Sequence, residues 1–419
     1  MAESETDNSY AWLRLTISLA LATIGGIGLW AAVVVLPTIQ VEFGIDRAGA
    51  SLPYTATMIG FAVGGLIMGR IADRHGITVP LLIGAISLGT GFIFSALAQN
   101  YLSFLILQFL FIGFLGSSAT FAPLVADVSQ WFLARRGIAI AIVAGGNYLA
   151  GTIWPPILQQ AISAYGWRAT FMVIGALCIG TMVPLALLLR RRPIYQDRPS
   201  PASKPSGAHG LLRRPAFLQP LLVLAGLACC VAMSMPQVHI VAYCGDLGYG
   251  PARGAEMLSI MLGCGVVSRL VSGVTADRIG GARTLIIGSL LQCLALLFYI
   301  PFDGLVSLYV VSAFFGLSQG GIVPSYALII RDYFPAREAG FRISLVMTAT
   351  VLGMALGGWM SGKIFDLTSS YQAAFLNGIL WNLLNLAIAI WLIWNRTQRV
   401  AGKSYSAAPA QLKRGHSHG

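Results

Sequence analysis

Gly69-Arg-Ile-Ala-Asp73-Arg74-His-Gly76 and Gly273-Val-Thr-Ala-Asp277-Arg278-Ile-Gly280 are one pattern met twice, each at the end of a long apolar run. The matching positions are all 204 apart: 273 against 69, 277 against 73, 278 against 74, 280 against 76. Trp167-Arg-Ala-Thr-Phe171 and Tyr371-Gln-Ala-Ala-Phe375 repeat the same spacing. A duplication of half-chain length predicts two related halves, with any ligand site near the plane where they meet.

What surrounds the repeat sets the class. Of 419 residues, 56% are hydrophobic and 10% charged, against about 25% charged in soluble domains. Too little polar surface remains to face water all round. The apolar runs are continuous rather than alternating with a period of two, which argues against a β-barrel. Helices satisfy their own backbone in lipid, so an all-α polytopic bundle is expected. Runs near the ~20 residues needed to cross a bilayer fall at 14–38, 52–72, 79–98, 102–128, 137–161 and 168–189. A second six fall at 217–241, 254–275, 283–301, 305–330, 340–364 and 372–395.

Twelve transmembrane helices in two six-helix halves, 14–189 and 217–395, follow from this reading. Residues 190–216 are rich in Pro, Ser and basic side chains and read as a cytoplasmic linker. Residues 1–13 form an acidic N-terminal segment, with Glu3, Glu5 and Asp7, and no cleaved signal is expected. Residues 396–419 form a tail whose His416 and His418 are read as disordered rather than as a metal site. The net charge of +12 resides in alternate loops, through Arg70, Arg74, Arg135, Arg136, Arg190, Arg191, Arg192, Arg213, Arg214, Arg278, Arg283, Arg331, Arg337 and Arg342. The opposite loops offer Arg47, Arg168, Arg253 and Lys363. That bias is the positive-inside signal: both termini are expected in the cytoplasm, and the basic charge reads as topology rather than nucleic-acid binding.

The paired Gly-x-x-x-Asp-Arg-x-Gly loops resemble the signature of the major facilitator superfamily, over essentially the whole chain. The resemblance implies a transporter that alternates access and a gating latch built from Gly69, Asp73, Arg74, Gly273, Asp277 and Arg278. Asp127, at the inner end of span four, is expected to partner Arg74. The plainer reading gives these residues only loop shape and topology. Ile77 and Thr78 stand after Gly76, where the family commonly has a basic residue.

Span eight holds the most informative residue, Arg269, well inside Met257–Gly273. A central arginine costs at least ~2.5–3.5 kcal/mol to insert, and Gly265, Ser272 and Gly273 leave it no acidic partner one turn away. An unpaired guanidinium calls for an anion, and its planar fork suits a carboxylate; snorkelling toward the cytoplasm is the alternative. Arg269-Leu-Val-Ser-Gly273 is similar to the span-eight arginine of monocarboxylate and oxalate/formate porters. Trp131-Phe132-Leu-Ala-Arg135-Arg136-Gly137 and Gly353-Met-Ala-Leu-Gly357-Gly358 also resemble the monocarboxylate pattern. Oxalate exchangers carry a span-eleven lysine where Thr350 stands here, and one buried cation favours a monocarboxylate over a dicarboxylate. Animal-type carriers have an aspartate where this chain has Gly265, and a span-one lysine that it lacks.

Further expected contacts with a small organic anion are Trp30, Phe121, Asn147, Tyr148, Gln319, Tyr326 and Thr350, polar or aromatic groups suited to a small pocket. His239 in span seven is expected to touch substrate and to carry a coupled proton, or else to hydrogen-bond at the interface. A monomer in a bacterial inner membrane is expected. No cofactor, metal or catalytic residue is assigned: there is no phosphate-loop motif, no metal-spaced cluster, and the six cysteines read as buried apolar groups. An oxalate/formate-type exchanger and a carboxylate receptor that binds without transporting are the competing functions.

Overall fold

The computed structural model describes residues 8–132, 135–191, 215–334 and 336–406. The acidic Glu3, Glu5 and Asp7, most of the linker, and His416 and His418 lie outside them. Among the described residues, twelve helices are long and apolar enough to cross a membrane: spans one to six are Ser9–Phe43, Arg47–His75, Thr78–Leu97, Tyr101–Trp131, Gly137–Tyr165 and Trp167–Leu188. Spans seven to twelve are Phe217–Asp246, Pro251–Ile279, Gly281–Phe298, Leu305–Tyr333, Gly340–Thr368 and Tyr371–Trp394. Each contains most of an expected run and extends beyond it, because helices continue past the apolar core into the interface. Leu66, Val271, Leu290 and Trp394 are large apolar side chains left exposed on the bundle, as a lipid-facing surface requires.

Local sequence sets the ends. Asn8, Asp46 and Asn100 cap spans one, two and four by accepting from the backbone N–H three residues on. The last glycine of each repeated loop, Gly76 and Gly280, takes a φ of 83° and 86°, a conformation that excludes most side chains.

Four spans are interrupted. Span one breaks at Gly26, span five at Gly145 and span ten at Gly320–Gly321. Span four passes through a π-helical turn at Gln108–Gly116 and a 3-10 turn at Ser117–Thr120, ending at Phe121 with φ −122° and ψ −80°. Small residues let neighbours press on these breaks. A Cβ on Gly64 of span two would lie 2.0 Å from the Phe114 carbonyl oxygen, and one on Gly316 of span ten 2.1 Å from that of Met261 in span eight. Close backbone approach of this kind is how helices associate in lipid. Gly84 and Gly288, 204 positions apart, each press on the following span near its break, Gly84 on the Gly116 carbonyl and Gly288 on that of Ser318.

Candidate functional site

At the end away from the linker the halves are latched. The Asp366 carboxylate of span eleven accepts the backbone N–H groups of Arg47 and Ala48 at the start of span two, each at 2.8 Å. Nη2 of Arg47 donates to both carboxylate oxygens of Asp246 of span seven, at 2.9 and 3.0 Å, and the guanidinium lies over the Phe365 ring. Thr55 donates to the Ala355 carbonyl at 2.9 Å, and Gly362 packs on the Arg47–Ala48 backbone. Toward the linker end, Gly69 of span two and Gly273 of span eight have open space where a side chain would stand. Those two glycines, expected in the gating latch, make no close contact at the Cβ position among the described residues.

Asp127 corrects another expectation. Its carboxylate is bidentate on Arg14 of span one, Nε and Nη2 both at 2.8 Å, with the two side chains 1% and 7% exposed. The remaining arm of Arg14 donates to the Tyr10 hydroxyl and the Arg191 carbonyl, and the guanidinium lies 4.7 Å from the Trp131 ring centre. Arg74 is exposed at the end of span two. Among the described residues it makes no hydrogen bond or ion pair with Asp127, whose two oxygens are taken by the Arg14 fork. Together with Asp73, His75, Arg190 and Arg191, this pair lines a cavity of about 470 Å³ within the N-terminal half.

The other polar concentration lies at the span breaks, where the halves meet. Arg269 lies ten residues before the linker-side end of span eight, about 15 Å along the helix. Its Cζ sits 4.7 Å from the Tyr148 ring centre, and its Nη1 donates to the Ala144 carbonyl at 3.0 Å. Its Nε is buried without a partner, and no carboxylate pairs with it among the described residues. Gln319, the last helical residue before the span-ten break, accepts from Gln237 Nε2 at 2.5 Å and keeps its own Nε2 unpartnered. A Cβ on Gly265, one turn before Arg269, would fall 2.6 Å from the Tyr148 ring and 3.5 Å from Gln319 Nε2. The neighbouring Asn147 has an unpartnered Oδ1, and its carbonyl accepts from the Trp30 indole at 3.2 Å. Buried polar atoms are nearly always paired. Three such orphans, from spans five, eight and ten, fall beside the buried Gln237 of span seven.

The expected residues thus divide. Arg269, Tyr148, Gln319, Asn147 and Trp30 come together. Tyr326 is fully buried and its hydroxyl is spent on Asn385 of span twelve at 2.7 Å. Thr350 returns its hydroxyl to the Met347 carbonyl at 2.7 Å. Phe121 pairs with Phe61 of span two, ring centres 6.0 Å apart. His239 is buried with Nε2 2.7 Å from the Gly358 carbonyl oxygen and Nδ1 3.4 Å from the Tyr371 hydroxyl. Its part of span seven packs against Gly254, about 20 Å along span eight from Arg269. Gln237, Arg14 and the far-end latch went unassigned in the sequence. Gln237 carried a readable signal, a lone amide in an apolar run; the latch carried none, because its partners are some 200 to 300 positions apart.

Comparison with known proteins agrees with this architecture. The chain is 26% identical over 333 residues to monocarboxylate transporter 13 of Bos taurus, covering 78% of this chain and 75% of that protein. It is 28% identical over 321 residues to human monocarboxylate transporter 11, covering 73% and 66%. The fold is that of a bacterial homolog of the human lysosomal transporter Spinster, solved inward-facing and occupied: TM-score 0.72, 15% identity, 93% of this chain and 98% of that one covered. The nucleoside transporter NupG also matches, with TM-score 0.69, 13% identity and 91% and 99% coverage. The sequence pattern of the Major Facilitator Superfamily matches residues 18–305 and 246–414, and with twelve helical spans in two related halves, the chain belongs to that superfamily of membrane transporters.

Proposed function

We propose that this transporter carries a small organic anion, a monocarboxylate, by alternating access, with Arg269 as the anion-binding group. The observation that carries the reading is a guanidinium held inside a membrane span with no carboxylate of the protein beside it and its Nε unpartnered. A substrate carboxylate supplies the missing countercharge. Gln319 and Asn147 offer the substrate's remaining atoms one donor and one acceptor. Thr350 brings no second cation, which separates this site from a dicarboxylate clamp. The names of the relatives, monocarboxylate transporters 13 and 11, agree in class.

In this reading the latched far end belongs to one of two states, and the repeated Asp73-Arg74 and Asp277-Arg278 loops help to close the linker end in the other. Both termini face the cytoplasm of a bacterial cell and the chain acts as a monomer in the inner membrane. A proton accompanies the anion, with His239 as its carrier; an uptake rate indifferent to an imposed pH gradient removes the proton from the cycle. The test of the whole is uptake of labelled lactate, pyruvate and butyrate into proteoliposomes, with lactamide as neutral control. Saturable uptake of an acid, absent with Arg269→Ala, is the expected result. Binding without uptake would make the protein a receptor, and uptake unchanged in Arg269→Ala would remove the anion site.

A further inference from the structure

We propose that Tyr148 and the interrupted helix end at Ala144 are positioning groups for Arg269, so that the anion clamp is assembled across the two halves. Resting on the monocarboxylate reading above, this inference names how the site presents its charge: one guanidinium edge, Nε with Nη2, to one carboxylate.

An arginine on a long flexible stem loses affinity to its own freedom unless something fixes its plane and its rotation within that plane. Here both are fixed from the other half of the protein. The Tyr148 ring of span five lies against the guanidinium, Cζ 4.7 Å from the ring centre, and sets the plane. The Ala144 carbonyl, also of span five, takes Nη1 at 3.0 Å and sets the rotation. That carbonyl ends a helix, because the chain breaks at Gly145, and a helix C-terminus carries partial negative charge. It therefore steadies the cation while no anion is bound.

With Nη1 committed, the arm left for bidentate pairing is the Nε–Nη2 edge. Nε is the buried, unpartnered atom, and Nη2 makes no hydrogen bond or ion pair among the described residues. Span eight makes the arrangement possible through Gly265: a Cβ there would lie 2.6 Å from the Tyr148 ring, so any other residue pushes the ring from beneath Arg269. The charge comes from span eight and its orientation from span five. Affinity for the anion then depends on the contact between these spans, which also runs through Ser259 donating to the Thr152 carbonyl and Leu262 against Gly151.

The test measures Kd for lactate, pyruvate and butyrate on the purified full chain, comparing wild type with Tyr148→Phe, Tyr148→Leu, Gly265→Ala and Arg269→Ala. Ligand-free melting checks that each variant is folded. Tyr148→Phe keeps the ring and is expected to bind as wild type. Tyr148→Leu removes it and is expected to raise Kd about tenfold, and Gly265→Ala is expected to weaken binding in the same direction. Rescue by phenylalanine is what a hydroxyl-mediated role would not give, and weakened binding by Tyr148→Leu with unchanged ligand-free melting is what a purely structural role would not give. Wild-type affinity in Tyr148→Leu, or equal loss in Tyr148→Phe and Tyr148→Leu, overturns the positioning role while the carboxylate reading stands. Undiminished binding in Arg269→Ala, or none of the three acids bound by wild type, overturns the carboxylate reading and this inference with it.

Discussion

Replacing Asp366 with alanine is expected to open the far end of the transporter. In the latched state this carboxylate accepts two backbone N–H groups at 2.8 Å, from Arg47 and Ala48, in the first turn of span two. Span two belongs to one half and span eleven to the other, so both bonds are lost when the far end parts. Hydrogen bonds to a charged group contribute about 1.5–3 kcal/mol each, and a carboxylate at a helix N-terminus gains a further few tenths or more. In the open state water takes over both partners, so the lower figure applies, about 3 kcal/mol for the pair. That shifts a two-state equilibrium by a factor of about 150. The shift can be read as the distance between spin labels placed at Val41 and Val306, which are 83% and 76% exposed. Val41 lies at the far end of span one and Val306 at the far end of span ten. Asp366→Ala should populate a longer distance than the parent. An unchanged distance distribution would refute the claim that this cap holds the halves together.

Three further outcomes follow from the same structure. Removing one partner of the buried Arg14–Asp127 pair strands a charge, so Arg14→Ala or Asp127→Ala should each cost about 3–5 kcal/mol and lower the melting temperature. Arg74→Ala should leave it unchanged, which differential scanning fluorimetry would check. Gly64→Ala should destabilise by about 1–3 kcal/mol, because its Cβ would meet the Phe114 carbonyl oxygen at 2.0 Å; thermal melts decide this, with the unhindered Gly69→Ala as control. Gln237→Leu strips Gln319 of its donor and should weaken acid binding by several-fold, about 1 kcal/mol for one buried hydrogen bond, as measured by titration calorimetry.

The fold was legible because lipid enforces it. A run of apolar residues long enough to span has few alternatives to a helix, so all twelve spans could be placed from sequence, and the 204-residue offset exposed the two halves. Breaks were partly legible: the Gly25-Gly26-Ile-Gly28 cluster announced the flexure seen at Gly26, whereas nothing in Gln108–Gly116 announces a π-helical turn. Span two packs on that turn through Gly60 and Gly64, a tertiary contact invisible in local sequence.

The site followed the same division. Arg269 stood out because charge in a span is costly, and its Nε is unpartnered in the structure. Partners could not be read the same way. Asp127 was assigned to Arg74 on the strength of family resemblance, but Arg14, 113 positions away, lies beside it in space. Tyr326 had the right residue type near the right proline, yet its hydroxyl turns to span twelve, because helical phase decides which side of a span a residue faces.

The most direct measurement of the central claim is the thermal stability of the purified protein with a panel of ligands. The panel is lactate, pyruvate, longer and aromatic monocarboxylates, oxalate and neutral analogues, each with wild type and Arg269→Ala. Stabilisation by a monocarboxylate that disappears in Arg269→Ala is the predicted result. Stabilisation that survives the substitution, or that arises only with neutral ligands, would contradict the account and leave Arg269 as a structural residue bound to the Ala144 carbonyl.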